Sequence, residues 1–451
     1  MHVIIIGGGP GGYVSALRGS QLGLNITLIE EERVGGVCLN KGCIPTKALL
    51  AATERISDIK SAKDFGIDIK DYSVDIDRIF KRKEQVVDQL VKGVEFLLSK
   101  RKVNLIKGKA RLVSQKEVLL SNGERLEGDI IILATGSLPI TNIGPLKIDN
   151  THIITSDSAL SDPYIPKSVV IIGAGAIGVE FATFYSDLGV DVSIVEMMDR
   201  VVPTEDEEVS RILERNLKRK GIKLYLKTIV KDVTEDGVIL ESGEHIKGEK
   251  VLVAVGRKAN TEELGIEDIG IKVNGKGYIL VDDYLQTNIP NVYAIGDVTG
   301  ISLFAHTASH QGLVAIDNIM GKRERMDYTA VPRATFCEPQ IGSVGLTEAQ
   351  AKNQGINPIV GRFPFRASGY ALAIGKWDGL VKLVANEKRE LIGAHIIGPS
   401  ASILLGEITL AVKERLTLDE IGETIHAHPT LPEVIMEASF AGLDLPLHTV
   451  V

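Results

Sequence analysis

Three cysteines in 451 residues are too few for the disulfide framework of a secreted domain. An excess of basic charge is also missing. The formal net charge is −8, which argues against nonspecific affinity for nucleic acid. No run of about 18 apolar residues occurs, so a membrane span is not expected. The first strand pattern begins at Val3 and leaves no room for a signal or transit peptide. A cytoplasmic setting is therefore expected, where a close cysteine pair is a candidate for redox chemistry or metal binding. No low-complexity linker divides the chain, so its parts should pack closely.

What the chain has is length and glycine. A chain of 451 residues exceeds a single hydrophobic core and implies several domains. Glycine stands at 46 residues, roughly a tenth of the chain against a usual ~7%. Much of the excess lies in two loops that form an internal repeat. The apolar run Val3–Ile6 ends in Gly7-Gly8-Gly9-Pro10-Gly11-Gly12, and Val169–Ile172 ends in Gly173-Ala174-Gly175-Ala176-Ile177-Gly178. Each leads into a helix-like stretch and a second apolar strand. That strand ends at an acid, Glu30 or Glu196, placed 18 residues after the third glycine.

The spacing predicts two βαβ nucleotide-binding units. Gly7 and Gly173 would make the tight turn, and Gly9 and Gly175 would let the backbone approach a pyrophosphate. Gly12 and Gly178 would let helix and strand pack closely. The pyrophosphate would sit at the helix N-terminus, where unpaired N–H groups and the dipole favour an anion. Glu30 and Glu196 are placed to accept ribose hydroxyls. A carboxylate at Glu196 would repel a 2′-phosphate, and Met197 and Met198 follow it, so NAD is expected over NADP, with Arg200 nearby as the counter-indication.

Cys38 and Cys43 are five residues apart in GGVCLNKGCIPTK, residues 35–47. In a regular helix their Cα atoms would lie about 8.7 Å apart, against the roughly 4.4–6.8 Å of a disulfide. A bridge would need a bend, which Gly42 permits, and Pro45 suits a first helical turn. On spacing alone, a redox pair and two structural thiols both stand. No further Cys or His lies nearby to complete a metal site, and no metal is expected. Elsewhere, residues 76–100 carry apolar residues at helical spacing and read as a packed surface helix. Stretches 103–133 and 222–255 read as β-rich. From about Val331, strand-like runs (379–385, 391–397) mix with helical ones (401–415, 432–441). The acids from Glu205 to Glu208 read as a solvated helix start.

With these motifs in hand, the sequence resembles the pyridine nucleotide–disulfide oxidoreductases over essentially its whole length. Beyond residues 35–47, the resemblance rests on ATGSLP (134–139), AVGRKAN (254–260), YAIGDV (293–298) and HAHPTLPE (426–433). It implies an α/β fold of two Rossmann-like dinucleotide-binding domains and a C-terminal α+β dimerisation domain. The implied division is 1–145 for FAD and the redox disulfide, 146–268 for NAD, 269–330 completing the FAD site and 331–451 for the interface. FAD would meet Gly7, Gly9, Gly12, Glu30, Lys47, Thr135, Gly136, Asp297, Ala305 and His306. NAD would meet Gly173, Gly175, Gly178, Glu196, Val230 and Gly256.

The resemblance further implies that Cys43 lies against the flavin, that Cys38 meets substrate, and that Lys47 and Glu180 form an ion pair near the flavin. His428 would be the base, oriented by Glu433, although Thr430-Leu431-Pro432-Glu433 also reads as a capping box. His428–Pro429 is a candidate cis peptide. His426 and His310 read as structural or surface residues, and Cys337 as a lone buried thiol where the family usually has Thr. Within the family, the nearest branch oxidises protein-bound dihydrolipoyl groups. The expected partners are a second copy of the chain, which shares active sites with the first, and the lipoyl domains of a 2-oxo acid dehydrogenase complex or a glycine cleavage carrier protein.

Overall fold

Val3–Ile6 and Ile130–Leu133 are apolar at every position, the pattern of strands covered on both faces. In the computed structural model, which describes residues 1–143 and 146–450, they lie at the centre of an all-parallel sheet. Its order is Val292–Ala294, Ile130–Leu133, His2–Ile6, Asn25–Glu30, Asn104–Lys107. Val3, Ile5, Ile130 and Ile132 enter one apolar core, while Ile4, Ile6, Ile131 and Leu133 enter another on the opposite face. A second all-parallel sheet follows the same plan: Ile153–Thr155, Lys250–Val253, Ser168–Ile172, Asp191–Val195, Lys223–Tyr225. The expected boundary at 145 falls on residues outside those described.

The repeat is longer than its glycine loops. The helices Pro10–Gln21 and Ala176–Asp187 correspond at an offset of 166. A three-stranded antiparallel sheet spanning 110–127 then matches one spanning 230–247, and Ile130–Leu133 matches Lys250–Val253, now at an offset of 120. The first copy is thus 46 residues longer between these two halves. The extra length carries the helices Cys43–Ser61 and Ile76–Lys100, where the second copy has the single helix Glu207–Arg219.

The C-terminal part is an antiparallel sheet in the order Arg333–Thr335, Gln340–Gly345, Leu391–Gly398, Leu380–Ala385, Ile359–Pro364. The helices Ala401–Glu414 and Glu433–Gly442 share its core. Here one expectation is corrected. Asp206 does cap the helix Glu207–Arg219, accepting the Glu208 N–H at 3.0 Å. Two of the four acids are not solvated, however: Glu205 and Asp206 are buried, while Glu207 is exposed and Glu208 half-buried. Lys382, itself buried, reaches Asp206 at 3.0 Å, Glu208 at 2.7 Å and Glu348 at 2.9 Å. Arg333 reaches Glu205 at 3.3 Å. Buried carboxylates require such partners, and here the partners tie the second nucleotide fold to the antiparallel sheet.

Candidate active site

The two glycine turns are built alike down to single hydrogen bonds. Gly7 and Gly173 have φ of +104° and +103°. A Cβ on Gly12 would lie 1.8 Å from the Gly7 carbonyl oxygen, and one on Gly178 2.0 Å from that of Gly173. Only glycine admits that approach of helix to strand. Glu30 accepts the N–H groups of Gly8 (2.6 Å) and Glu32 (2.8 Å); Glu196 accepts those of Ala174 (2.7 Å) and Met198 (2.8 Å). Each carboxylate is thereby fixed, with lone pairs left for a ribose hydroxyl. Neither helix has a side-chain cap at its N-terminus. A Cβ on Gly175 would meet no atom within 4 Å, and one on Gly9 only the Gly36 Cα at 3.8 Å. This open ground before uncapped N–H groups fits a dinucleotide pyrophosphate at both sites. Arg200 is turned to the Pro203 carbonyl at 3.2 Å, and Met197 and Met198 are exposed beside Glu196.

The cysteine segment breaks where the spacing requires it to. One short helix, Gly36–Lys41, carries Cys38, and a second, Cys43–Ser61, opens at Cys43. Between them Gly42 leaves helical geometry, at φ −148° and ψ −111°. Both cysteines are free thiols here. The neighbouring Cys38 thiol and the Lys47 charge lower the Cys43 pKa below the usual thiol value, against burial and Glu180. The neighbouring Cys43 and burial push the Cys38 thiol up. Lys47, one turn along from Cys43, donates to both oxygens of the buried Glu180 at 2.9 Å. Glu180 Oε1 also accepts the Phe336 backbone N–H at 2.8 Å. The Lys47 Nζ stands 4.6 Å from the centre of the Phe336 ring.

At the other end of the chain, His428 Nδ1 lies 2.8 Å from Glu433 Oε1. The second Glu433 oxygen accepts the Thr430 N–H at 2.7 Å. Glu433 thus holds the ring and caps the turn at once. The other half of the box is not made, because the Thr430 hydroxyl donates to the Ala427 carbonyl. Partial burial would raise the Glu433 pKa, but the Thr430 N–H and His428 hold it below the usual carboxylate range. The His428 side chain is 80% exposed. Its peptide bond to Pro429 is cis.

Asp297 is the second residue of the short 3₁₀ turn Gly296–Thr299 and accepts the Ser137 hydroxyl at 2.5 Å. Burial raises its pKa, opposed by Ser137 and Arg257. The Thr135 hydroxyl donates to the Asn260 carbonyl at 2.7 Å, and the Asn260 N–H to the Gly136 carbonyl at 3.0 Å. Ala305 begins the helix Ala305–Ile319, and the His306 ring stacks on Phe304. Gly256 follows the strand Lys250–Val253 at φ +125°, and Val230 begins the strand Val230–Thr234. His426 is held by Glu407 at 2.9 Å and the Thr424 carbonyl at 2.8 Å. His310 is exposed and Cys337 is buried.

Several groups escaped the sequence reading. Arg257, within AVGRKAN, donates to the Ser137 hydroxyl at 2.7 Å and so orders the partner of Asp297. Gly108, Lys109 and Asn260 line a cleft beside Glu30. Phe336 acts through a backbone N–H and a ring face, and only its neighbour Cys337 drew notice in the sequence.

Two dinucleotide folds, an acidified thiol in the first of them and an imidazole–carboxylate pair on a third domain define a class: oxidoreductases that pass electrons between a dithiol and a pyridine nucleotide through a flavin. The comparisons agree. The family model for pyridine nucleotide-disulphide oxidoreductases matches residues 1–312, and the model for the dimerisation domain of the same family matches 331–439. The chain belongs to the pyridine nucleotide-disulphide oxidoreductase family. It is 42% identical to a dihydrolipoyl dehydrogenase of Chlamydia muridarum, over 99% of this chain and 97% of that one. It is 41% identical to a dihydrolipoyl dehydrogenase of Geobacillus stearothermophilus, over 100% and 97%. Among solved structures, LpdA from Mycobacterium tuberculosis matches at a TM-score of 0.91 and 26% identity, over 97% of this chain and 99% of that one. Members of the family use FAD and NAD, and the two glycine turns are the sites that fit them.

Proposed function

We propose that the protein oxidises protein-bound dihydrolipoyl groups through Cys38, Cys43 and FAD, with NAD+ as acceptor. The observation that carries this reading is the cysteine pair itself: two thiols on either side of a helix break, with Lys47 one turn from Cys43 and held by the buried Glu180. Full-length relatives named dihydrolipoyl dehydrogenase support this substrate class. In the oxidised enzyme Cys38 and Cys43 form a disulfide. His428 Nε2 takes the proton from one substrate thiol while Glu433 holds the ring. The resulting thiolate attacks the Cys38 sulfur, and Cys43 departs as a thiolate favoured by Lys47. The second substrate thiol then displaces Cys38. Two substrate thiols become a disulfide, and the enzyme disulfide becomes two thiols. FAD, when bound, supplies the two-electron transfer that returns the cysteines to the disulfide and reduces NAD+.

In this reading residues 1–145 and 269–330 bind FAD, 146–268 bind NAD, and 331–451 pair two copies of the chain in the cytoplasm. The match to a dimerisation domain supports a homodimer. So do Ile403 and Leu410, exposed one above the other on the helix Ala401–Glu414, and Ile425, which is 97% exposed. In this homodimer His428, whose side chain is 80% exposed, serves the disulfide of the partner subunit. Lipoyl domains arrive on a separate protein of a 2-oxo acid dehydrogenase complex or a glycine cleavage system. Among the described residues no helix is long and apolar enough to cross a membrane.

Dihydrolipoamide-dependent reduction of NAD+ by the FAD-loaded protein tests the reading. NADH formation that Cys43→Ser abolishes is expected. No turnover, with flavin bound and the disulfide intact, would remove the dihydrolipoyl assignment. A mixed dimer of Cys38→Ser and His428→Gln chains tests the sharing of sites, since it retains one intact site only if the base acts across the interface.

A further inference from the structure

Glu180 is the meeting point of three parts of the chain. Lys47 comes from the helix that Cys43 opens, Glu180 from the helix of the second glycine turn, and Phe336 from the strand connection of the C-terminal sheet. The carboxylate is buried and takes three hydrogen bonds: two from Lys47 at 2.9 Å and one from the Phe336 N–H at 2.8 Å. A buried carboxylate held this fully has little freedom to turn. The ammonium it holds also faces the Phe336 ring, 4.6 Å from the ring centre, within cation–π range. Carboxylate and ring together hold the Lys47 charge in one place, one helical turn from the Cys43 sulfur.

We propose that Phe336 is a positioning residue for the redox centre: its backbone fixes Glu180, its ring fixes Lys47, and through them the C-terminal domain sets the acidity of Cys43 in its own chain. This rests on the reading of Cys43 as the thiol on the flavin side. It differs from the role of His428, because the C-terminal domain then acts on both halves of the chemistry. It supplies a base to the partner's disulfide and holds the cation beside its own. The groups that face Cys43 are the Cys38 thiol, Lys47 and Glu180. A leucine at 336 keeps the backbone N–H and removes only the ring. Lys47 then loses one of its two restraints, and its mean charge at Cys43 falls.

The test is the rate of Cys43 alkylation by iodoacetamide as a function of pH. It uses the FAD-loaded protein in a Cys38→Ser background, where the serine hydroxyl keeps a donor beside Cys43, and follows the Cys43 peptide by mass spectrometry. The thiolate is the reactive form. Phe336→Leu is expected to slow alkylation at pH 7 by about two- to fivefold, the factor a cation–π contact at a partly exposed site represents, and to move the midpoint upward. Phe336→Tyr keeps the ring and should restore the original profile. In a Lys47→Met background, Phe336→Leu should have no further effect, because the ring acts through the cation. An unchanged profile in a folded, flavin-loaded Phe336→Leu protein would overturn the proposal. So would an equal loss in the Lys47→Met background, which would assign the effect to packing. No lipoyl substrate enters the experiment, so failure of the dihydrolipoyl assignment leaves its outcome readable.

Discussion

At the scale of single residues, the site works by giving each charged group more than one partner. Glu433 spends one oxygen on His428 and the other on the Thr430 N–H. Glu433→Gln is expected to keep an acceptor for only one of them, leaving the imidazole free to turn. A positioned base contributes typically about 10²–10⁴-fold, so His428→Gln should lower kcat for dihydrolipoamide by that range and Glu433→Gln by less. Steady-state rates with both variants check the order; equal losses would show that the carboxylate does more than orient. Glu196 is similarly committed to two backbone N–H groups. Replacing it with Ser, together with Met197→Arg, should weaken NAD+ and admit NADP+. The change is read as the ratio of kcat/KM for the two nucleotides. Because Arg200 is engaged with the Pro203 carbonyl, Glu196→Ser alone should not invert that preference.

At the scale of elements, what the sequence made legible is what local rules dictate. The glycine turns, the acids after them, the break at Gly42 and the long helix Ile76–Lys100 all follow from spacing, and all are present. The second half of the repeat was less visible because the offset changes from 166 to 120, although LSNGERLEGDIIILATG and LESGEHIKGEKVLVAVG align without a gap. The burial of Glu205 and Asp206 had no local signal. Their partners Arg333 and Lys382 lie 128 and 176 residues away. Phe336 was hidden for another reason: a backbone N–H leaves no trace in residue identity. The equivalence of the two turns makes a paired prediction. A Cβ at Gly12 or Gly178 would meet a carbonyl oxygen at 1.8 or 2.0 Å, so the helix must shift in either variant. Gly12→Ala should lose FAD, seen as a lower ratio of flavin to protein absorbance. Gly178→Ala should keep its flavin and lose only NAD-dependent turnover.

At the scale of the whole molecule, the proposed pairing of a base on one chain with a disulfide on the other requires the nucleotide folds and the C-terminal sheet to stay in register. The cluster around the buried Lys382 is built to hold that register. One ammonium serves Asp206, Glu208 and Glu348, and Arg362 joins Glu208 and Glu348 from the side. The Lys352 hydrogen bond, then Lys382 and Arg362, against partial burial, lower the Glu348 pKa to about 2. Its unfolded value is about 4.3. A depressed carboxylate stabilises the fold fully above the unfolded value, and the stabilisation is lost as pH falls through the folded one. The contribution of Glu348 should therefore disappear between about pH 4.3 and 2. Lys382→Met removes the cation and strands the buried Asp206, while Glu208 and Glu348 keep Arg362; breaking a buried pair typically costs about 3–5 kcal/mol. Denaturant unfolding at pH 7 should show that loss. The gap between wild type and variant should narrow as the solution is acidified and the stranded carboxylate becomes neutral. A gap that stays constant down to pH 3 would mean that Lys382 stabilises the fold through its packed alkyl chain, and that the register of the domains is held by apolar contact instead of charge.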